Sequence, residues 1–219
     1  HINQSLSANE HALVEFRNVY QDYKYLWTTD LQKMFSDFVE KAYENASSAG
    51  VPNLDLFDQE ISKYRQVQVA VSELKTPTDL GWLRVNSQPI KQALSTWVTK
   101  WVYLFTQHLH DHVTARLNEL HSFMSRVDSG LGKAVDEGDK TGLMEVMTHI
   151  RDVRKAMDDT QELFHPLRDA VLLLKKHGIS MEGVKVASGV EVLDYLEQAP
   201  LRWEATINNP FKKKEEILP

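Results

Sequence analysis

The chain has 219 residues and no cysteine, so it is long enough to bury a core without disulfides, and the absence of cysteine fits a reducing compartment. Its net charge of −6 argues against a general nucleic-acid binder, which carries a basic face. No apolar run approaches the ~20 residues that span a bilayer, and a chain that begins with His1 indicates a piece of a longer protein.

Apolar residues recur at steps of three and four through the first 80 residues, as they do in amphipathic helices. Three helices are predicted there. Their capping signals, in chain order, are Ser7 with Glu10, Thr29 with Gln32, and Asn53. Their buried stripes are expected to include Val14, Phe16, Val19, Tyr20 and Tyr23, then Leu31, Met34, Phe35, Phe38 and Ala42, then Phe57, Ile61, Tyr64, Val71 and Leu74. We therefore predict a three-helix bundle over residues 1–80, closed by a break at Lys75–Gly81.

A single long helix is predicted next, starting at Ser87 with Pro89 in its first turn. No glycine or further proline occurs before Gly130, so about 40 residues would form a rod of roughly 60 Å. Its apolar stripe is Leu94, Trp97, Trp101, Phe105, Leu109, Val113, Leu117, Leu120, Met124, Val127 and Leu131. Such a rod is too long for one compact bundle to cover, and we expect it to join two packing groups.

The last third of the chain is also predicted to be helical. After a turn that ends at Gly142, the expected core stripe is Leu143, Met147, Ile150, Val153 and Met157. A break is predicted at His165–Pro166 and a helix stop in "KKHGIS" at residues 175–180. Ser188 with Glu191 predicts a capping box, and Trp203 is placed in a short helix after Pro200. The one strand-like piece, Trp82–Asn86, is too short to be stable alone.

These patterns predict an all-α fold of elongated, stacked helical bundles that share one long helix. Residues 81–219 would form the second domain, which contains the long helix and a C-terminal bundle. The basic run at Lys212–Lys214 is followed by Glu215 and Glu216, which favours a solvated helix face over a polybasic anchor.

The sequence "HLHDH" raises the question of a metal site. His108 and His112 are four residues apart and share one helix face, as zinc-binding pairs do. The zincin pattern requires a glutamate after the first histidine, where Leu109 stands, and a third ligand would have to be Asp111 or His121. Because Leu109 belongs to the core stripe, its neighbours His108, His110 and Asp111 are expected to point away from the core. We interpret the cluster as a solvated helix face.

The sequence "SGLGKAVDEGDKTG" invites comparison with a phosphate-binding loop. Relative to Gly132 and Lys133, the required first glycine is replaced by Val127, and Ala134 replaces the hydroxyl that would bind magnesium. We therefore predict no nucleotide site here, and we expect Gly130, Gly132 and Gly138 to turn the chain between antiparallel helices.

Other catalytic patterns are also missing. There is no Gly-x-Ser-x-Gly elbow for a nucleophile. A two-metal helical bundle needs several Glu-x-x-His pairs, and Glu162 with His165 stands alone. Trp97 and Trp101 lie on the core stripe and are expected to pack rather than to stack on bases. We predict no catalytic, cofactor-binding or metal-binding residue.

Six stretches together resemble the tail of dynein heavy chains, most closely the axonemal ones. In chain order they are "EFRNVYQDYKYLWTTDL", "LDLFDQEISKYRQV", "GWLRVNSQPIKQAL", "NELHSFMSRVDSGLGKAVDEGDKTGLMEVMTHIRDVR", "ELFHPLRDAVLLLKKHGI" and "YLEQAPLRWEA". The residues that carry the resemblance include Trp82, Val85, Pro89 and Lys91, then Gly130, Leu131, Glu137, Gly138, Asp139, Val146 and Met147, then Phe164, Pro166, Leu167, Leu173, Leu174 and Gly178.

The resemblance implies the stem just before the linker that swings over the ATPase ring. It further implies stacked bundles that bind intermediate chains, light chains and neighbouring heavy chains in the axoneme of a cilium or flagellum, with no nucleic-acid or membrane contact. The ATPase modules of such a motor would lie later in the parent chain, and microtubules would be reached only through its other parts.

A spectrin-like repeat module of a cytoskeletal crosslinker or tethering adaptor is the alternative, although a fixed repeat would not place the long helix where it lies. Three breaks in the helical pattern could either flex under force or simply connect helices. They are Lys75–Gly81, Gly130–Gly142 and Gly178–Gly189.

Overall fold

The fold is all-α, as predicted. The computed structural model describes residues 2–44, 46, 50–133 and 139–217, and these form seven helices and one small hairpin. Contacts group the chain into two units. One contains His1–Glu44 and Asp55–Thr106, and the other contains Asn45–Leu54 and Gln107–Pro219. A boundary at residue 80 between independently folding domains stays a prediction. Within the described ranges, no helix is long and apolar enough to cross a membrane.

The first unit contains four helices, a hairpin and the start of a long helix. Its elements are α1 (Ile2–Gln21), α2 (Tyr25–Thr28), α3 (Leu31–Tyr43), α4 (Leu54–Glu73), β1 (Thr78–Leu80), β2 (Leu83–Val85) and the first part of α5 (Gln88–Leu131). Lys91 of α5 donates from Nζ to the carbonyl oxygens of Ser72 at 2.6 Å and Leu74 at 2.8 Å. Since the last carbonyls of a helix lack internal partners, this ammonium group closes the end of α4.

The second unit combines the rest of α5 with α6 (Lys140–Lys176) and α7 (Val192–Ile217). The stop predicted at residues 175–180 is confirmed: Ile179 N–H donates to Leu174 O at 2.9 Å, Gly178 N–H donates to Lys175 O at 3.0 Å, and Gly178 has φ +77°. This is the Schellman arrangement, in which glycine takes the left-handed conformation that ends a helix.

The long helix is present, and its core stripe is confirmed at nearly every predicted position. Its buried apolar residues are Leu94, Val98, Trp101, Val102, Phe105, Leu109, Val113, Leu117, Leu120, Met124, Val127 and Leu131. The exception is Trp97, which is only half-buried because Val98 takes its place in the core. Ser87 stands directly before the helix, but its Oγ makes no hydrogen bond to a described residue, and Asn86 Oδ1 accepts from Gln88 N–H instead.

The breaks predicted at two prolines are wrong. α6 continues through Pro166, and α7 continues through Pro200 and Pro210. A proline inside a helix removes a hydrogen bond and costs about 3 kcal/mol or more. The helices continue because buried side chains flank each of the first two prolines, namely Leu163, Phe164 and Leu167 in α6 and Leu196, Ala199 and Trp203 in α7. Tertiary packing therefore outweighs local propensity.

Three predicted caps are also wrong. α1 already begins at Ile2, so Ser7 lies inside it. The cap of α3 is Asp30, whose carboxylate accepts from Gln32 and Lys33 N–H at 3.1 Å, and not Thr29. α7 begins at Val192, whereas Ser188 Oγ accepts from Val190 N–H in the preceding turn. In each case the sequence contains a residue that could cap a helix, but the helix begins at a different position.

Several residues predicted for the core are exposed. On α6, Leu143, Met147 and Met157 are exposed, whereas Val146, Ile150 and Val153 are buried. Ile150 and Val153 of the predicted stripe are thus confirmed as buried, whereas Val146 is buried in place of Leu143 and Met147. On α1, Val14 and Val19 are likewise exposed.

The strand-like piece forms a hairpin that was not predicted. β2 pairs antiparallel with β1, with Leu80 opposite Leu83, and Gly81 has φ +62° in the turn. The turn favours glycine at this position because of its positive φ, and a Cβ there would also require the side chain of Asn9 on α1 to shift. Trp82 in the turn is 69 % exposed.

Replacing Trp101 with alanine should destabilise the chain by about 3–5 kcal/mol, because its large side chain is 1 % exposed in the core. Denaturant unfolding followed by circular dichroism measures this change. Trp82→Ala is the matched control, since that indole is mostly exposed, and it should cost less than about 0.5 kcal/mol. Equal losses in the two variants would contradict the burial of the α5 stripe.

Candidate functional site: the α5 helix and its contacts

An aromatic cluster packs around α5 in the first unit. Phe105 contacts Phe38 edge-to-face at 4.9 Å between ring centroids and Phe35 at 5.5 Å. Phe57 of α4 contacts Phe38 in the same manner at 4.9 Å. Edge-to-face pairs gain about 0.5–1.5 kcal/mol beyond the area they bury. Through these rings, α3 and α4 are both attached to the same turn of α5.

Trp101 joins α5 to two further elements. Its ring stacks on Tyr64 of α4 at 4.9 Å, with an angle of 16° between the planes. Its Nε1–H donates to the carbonyl oxygen of Leu26 in α2 at 3.1 Å, so the one polar atom of the ring is satisfied. Burial, assisted by Glu60 and Tyr25, raises the pKa of Tyr64, which therefore stays neutral at physiological pH.

In the second unit, α5 and α6 approach each other closely at Gly130. A Cβ at this position would overlap the imidazole ring of His149 on α6. The adjacent core consists of Val127, Leu131, Val146, Ile150 and Val153, with Phe123 and Ile207 packed against it. Gly130, which the sequence suggested for a turn, is instead within α5, where its missing side chain leaves room for the partner helix.

Contacts from α7 and from the segment before it complete the attachment to α5. His121 and Tyr195 meet edge-to-face at 5.8 Å, and the Trp203 ring lies 6.0 Å from that of Phe123. Before α7, Ala187 N–H donates to Asn118 Oδ1 at 2.7 Å. His121, considered above as a third metal ligand, therefore has a structural contact.

The histidine segment is less exposed than predicted. His108, His110 and His112 are half-buried, and only Asp111 faces solvent. Asp111 Oδ1 lies 3.2 Å from His110 Nδ1 and accepts from Gln107 Nε2 at 2.8 Å. The interpretation of a solvated face is thus wrong for the three imidazoles. Arg116, one turn beyond His112, is also half-buried, and a Cβ at Gly50 would lie 3.6 Å from its guanidinium.

Burial also sets the protonation of this segment. Desolvation, with the positive charge of Arg116 and then His108, lowers the pKa of His112 to about 4. Desolvation likewise lowers the pKa of His108, although Asp111 opposes it. Both rings are therefore neutral at pH 7. Across the part of the chain that the structure describes, no group of three or more His, Asp or Glu side chains is placed to hold a metal ion.

The glycine-rich segment has the wrong helix polarity for phosphate binding. Gly132 and Lys133 follow the end of α5, where unpaired carbonyls point outward, whereas a phosphate loop precedes a helix and presents N–H groups. The Lys133 ammonium lies 3.4 Å from Glu145, and Asp139 caps α6 by accepting from Thr141 and Gly142 N–H. Ala134, Glu137 and Gly138 are outside the described residues.

The remaining candidate, Glu162 with His165, also contributes to helix structure. His165 Nδ1 lies 2.8 Å from Asp169 Oδ2, one turn further along α6, and the imidazole is largely exposed. The lack of a catalytic, cofactor or metal residue stays a prediction. What the geometry does show is that several polar residues of α5, namely Lys91, Trp101 and Asn118, bond to the backbone of other elements.

Comparison with known proteins gives a consistent result. No protein-family model matches the chain. The ciliary dynein beta chain of Tripneustes gratilla is 31% identical over an alignment of 217 positions, which covers 94% of this chain and 5% of that protein. Human dynein axonemal heavy chain 17 is 30% identical over the same extent, with the same shares. The flagellar outer-arm dynein beta chain of Chlamydomonas reinhardtii is 28% identical over an alignment of 242 positions including gaps, which covers 97% of this chain and 5% of that protein.

The chain belongs to the axonemal dynein heavy chains. The matches extend over nearly its whole length, which agrees with the order of the six stretches quoted above. Because the chain matches dynein heavy chains over nearly its whole length, we assign it to this family and not to spectrin-like repeat proteins. The chain spans about one twentieth of the length of these relatives, so it corresponds to one segment of a dynein heavy chain.

The stability of this dynein segment should fall as the pH is lowered from about 6.5 towards 4. The unfolded His112 has an ordinary pKa of 6.5 and the folded one about 4, so between these values only the unfolded chain binds the proton. His112→Gln should therefore lose less stability than the wild type between pH 7.5 and pH 5. The measurement is the urea midpoint at both pH values.

The control for this pH effect is Ala115→Gln, an exposed position on the same helix at which no titratable group is gained or lost, and it should keep the pH dependence of the wild type. If His112→Gln and the wild type show the same change in midpoint, the buried neutral imidazole is not responsible for acid sensitivity.

The contact between Gly130 and His149 should appear as an energetic coupling. Gly130→Ala adds a methyl group where the ring lies, and overpacking of this kind costs about 1–3 kcal/mol. In a His149→Ala background the space is free, and the same substitution should be neutral or slightly stabilising, since alanine favours helix. A double-mutant cycle measures the difference, and a coupling near zero would contradict this close approach.

Proposed function

We propose that the chain is a non-catalytic structural segment of the stem of an axonemal dynein heavy chain. In this role it transmits force between the motor and its anchor and contributes to subunit assembly. The observation that carries the proposal is α5, a helix of 44 residues whose stripe enters the cores of both units. Leu94, Trp101 and Phe105 are buried in the first unit, and residues from Leu109 to Leu131 are buried in the second.

A helix whose apolar stripe is buried along its length resists bending. Each turn of α5 presents a buried side chain at steps of three or four, so a kink would pull apolar groups out of a core. Fully exposing one large apolar side chain costs about 1.5–3 kcal/mol. A flexible linker has no comparable cost, and force applied to it would be lost in extension. These energies support a mechanical role for α5.

The use of polar residues supports a non-catalytic role. Lys91 closes the end of α4, Trp101 satisfies a carbonyl of α2, and Asn118 holds the backbone before α7. Residues that resembled catalytic groups in the sequence have similar contacts, as Lys133 has with Glu145. We infer that the ATPase activity of the motor belongs to other parts of the parent heavy chain.

The proposed partners are other dynein subunits, namely intermediate chains, light chains and neighbouring heavy chains. The proposed location is the axoneme of a cilium or flagellum, in accordance with the names of the ciliary and flagellar relatives. Exposed apolar side chains, among them Trp82, Met144 and Leu201, support an assembly role because such groups anchor protein contacts.

A proline in the middle of α5 tests this function. Arg116 would not be a clean site, since it is only half-exposed and its Nη1 donates to Glu119 at 2.8 Å. Ala115 is exposed, so Ala115→Pro would remove one backbone hydrogen bond and kink the helix at a cost of ~3 kcal/mol or more with little other change. Ala115→Gln, which keeps the helix, is the matched control.

In a full-length dynein, Ala115→Pro should leave the basal ATPase rate near that of the wild type. Gliding velocity, or incorporation into the axoneme, should fall, and Ala115→Gln should behave like the wild type. Folding of the variant is checked by circular dichroism of the 219-residue chain. Normal motility with a demonstrably kinked helix would mean that α5 carries no force, and an equal fall in ATPase rate would place the segment within the motor's chemistry.

A further inference from the structure

An open groove lies between the end of α6 and the start of α7. Its volume is about 650 Å3. Its apolar surface is formed by Val171, Leu172, Ile179, Met181, Leu193 and Leu196. Met181 and Leu196 are buried and form its base, whereas Leu172 is 62 % exposed. An exposed leucine beside a concave apolar surface indicates that the groove can receive a further apolar group.

The rim of the groove carries separated charges. Arg168 and Lys175 lie on α6, seven residues apart, which places them on one side of that helix roughly 10 Å apart along its axis. The connection and α7 contribute Glu182 and Glu197. Within the described part of the chain, none of these four side chains forms an ion pair or hydrogen bond. Thus cations border the groove from α6 and carboxylates border it from the other elements.

We propose that this groove binds an amphipathic α-helix of another dynein subunit, with acidic residues along one edge of its apolar stripe and basic residues along the other. Such a helix would place its leucines or isoleucines on the groove floor, as in other helix-in-groove complexes. Its carboxylates, about seven residues apart, would face Arg168 and Lys175, and its lysines or arginines would face Glu182 and Glu197. The charges would then select the partner and its direction.

The backbone before α7 supports a preformed groove. Gly178 ends α6 in the Schellman arrangement, and Lys185 and Glu191 form an antiparallel bridge that holds the connection. Val192 N–H also donates to Val184 O at 2.8 Å. Because these bonds position Ile179, Met181 and Glu182, a partner helix would not have to order this side of the groove.

This proposal rests on the assembly role proposed above but not on the mechanical role of α5. It is tested with the 219-residue chain and synthetic 21-residue helical peptides with a leucine stripe. The mixed peptide carries glutamates on one edge and lysines on the other. Two comparison peptides carry lysines on both edges or glutamines on both edges. Binding is measured by fluorescence anisotropy.

The wild-type chain should bind the mixed peptide at least tenfold more tightly than either comparison peptide. This order is opposite to what the net negative charge of the chain would give through nonspecific attraction. The double variant Arg168→Glu and Lys175→Glu should reverse it and prefer the peptide with lysines on both edges. The matched control is Arg151→Glu with Lys155→Glu, which makes the same charge change on an exposed part of α6 away from the groove and should keep the wild-type order.

A second pair of variants tests the apolar floor. Leu172→Asp should weaken binding of the mixed peptide at least tenfold, whereas Met147→Asp, at a side chain that is 48 % exposed on the same helix and outside the groove, should leave it unchanged. Unchanged thermal melting shows that each variant is folded. If Leu172→Asp fails to fold, the charge-reversal pair still decides the question.

Several results would overturn the proposal. One is equal binding of all three peptides by the wild-type chain. Another is an equal change of peptide preference in the groove variant (Arg168→Glu with Lys175→Glu) and in the control variant (Arg151→Glu with Lys155→Glu). A third is a dimer of the chain that Leu172→Asp dissociates, which would make a second copy the occupant. Normal peptide selectivity with unimpaired motility of Ala115→Pro would reject the mechanical role alone.

Discussion

The continuous apolar stripe of α5 is the constraint on which the other helices depend. A helix of 44 residues contains about twelve turns, and a helix of this composition would gain little stability alone in water. Its stability comes from elements that cover the stripe, and it determines in turn where they pack. Tyr64 stacks on Trp101, His149 covers Gly130, and Trp203 lies near Phe123. A shift of one residue in the stripe would rotate the face by about 100° and disrupt each of these contacts.

The stripe was predictable because its period is set by the backbone and is repeated many times along one helix. The one error, Trp97 in place of Val98, arose because both residues are apolar and adjacent, so that periodicity alone does not select between them. Short stripes contain less information. On α6, Leu143 and Met147 fit a helical period with Ile150 as well as Val146 does, and only the position of the neighbouring helices decides which of them is buried.

Features that depend on residues far apart in the sequence were not predictable. Nothing near Pro166 or Pro200 indicates that the flanking side chains will be buried deeply enough to keep each helix intact. The three imidazoles of "HLHDH" were expected to be solvated because Leu109 between them lies on the core stripe, yet all three are half-buried. Likewise, Ala187 gives no sign that its N–H will meet Asn118. A local pattern fixes a helix, whereas the surroundings of a half-buried polar residue are fixed by chain segments that the pattern does not include.

Several polar residues of this chain have a structural role, which is to satisfy backbone groups that lack a partner within their own helix. Long helices create unpaired backbone groups at their ends, and closely packed helices leave few waters to satisfy these groups. Lys91 and Asp139 satisfy groups at helix termini, and Trp101 satisfies a carbonyl in the short helix α2. The charges around the groove between α6 and α7 satisfy no group in the described chain. Because these charges border an apolar floor, a partner with complementary charges would be stabilised both by apolar burial and by charge pairing. Water can only solvate the charges.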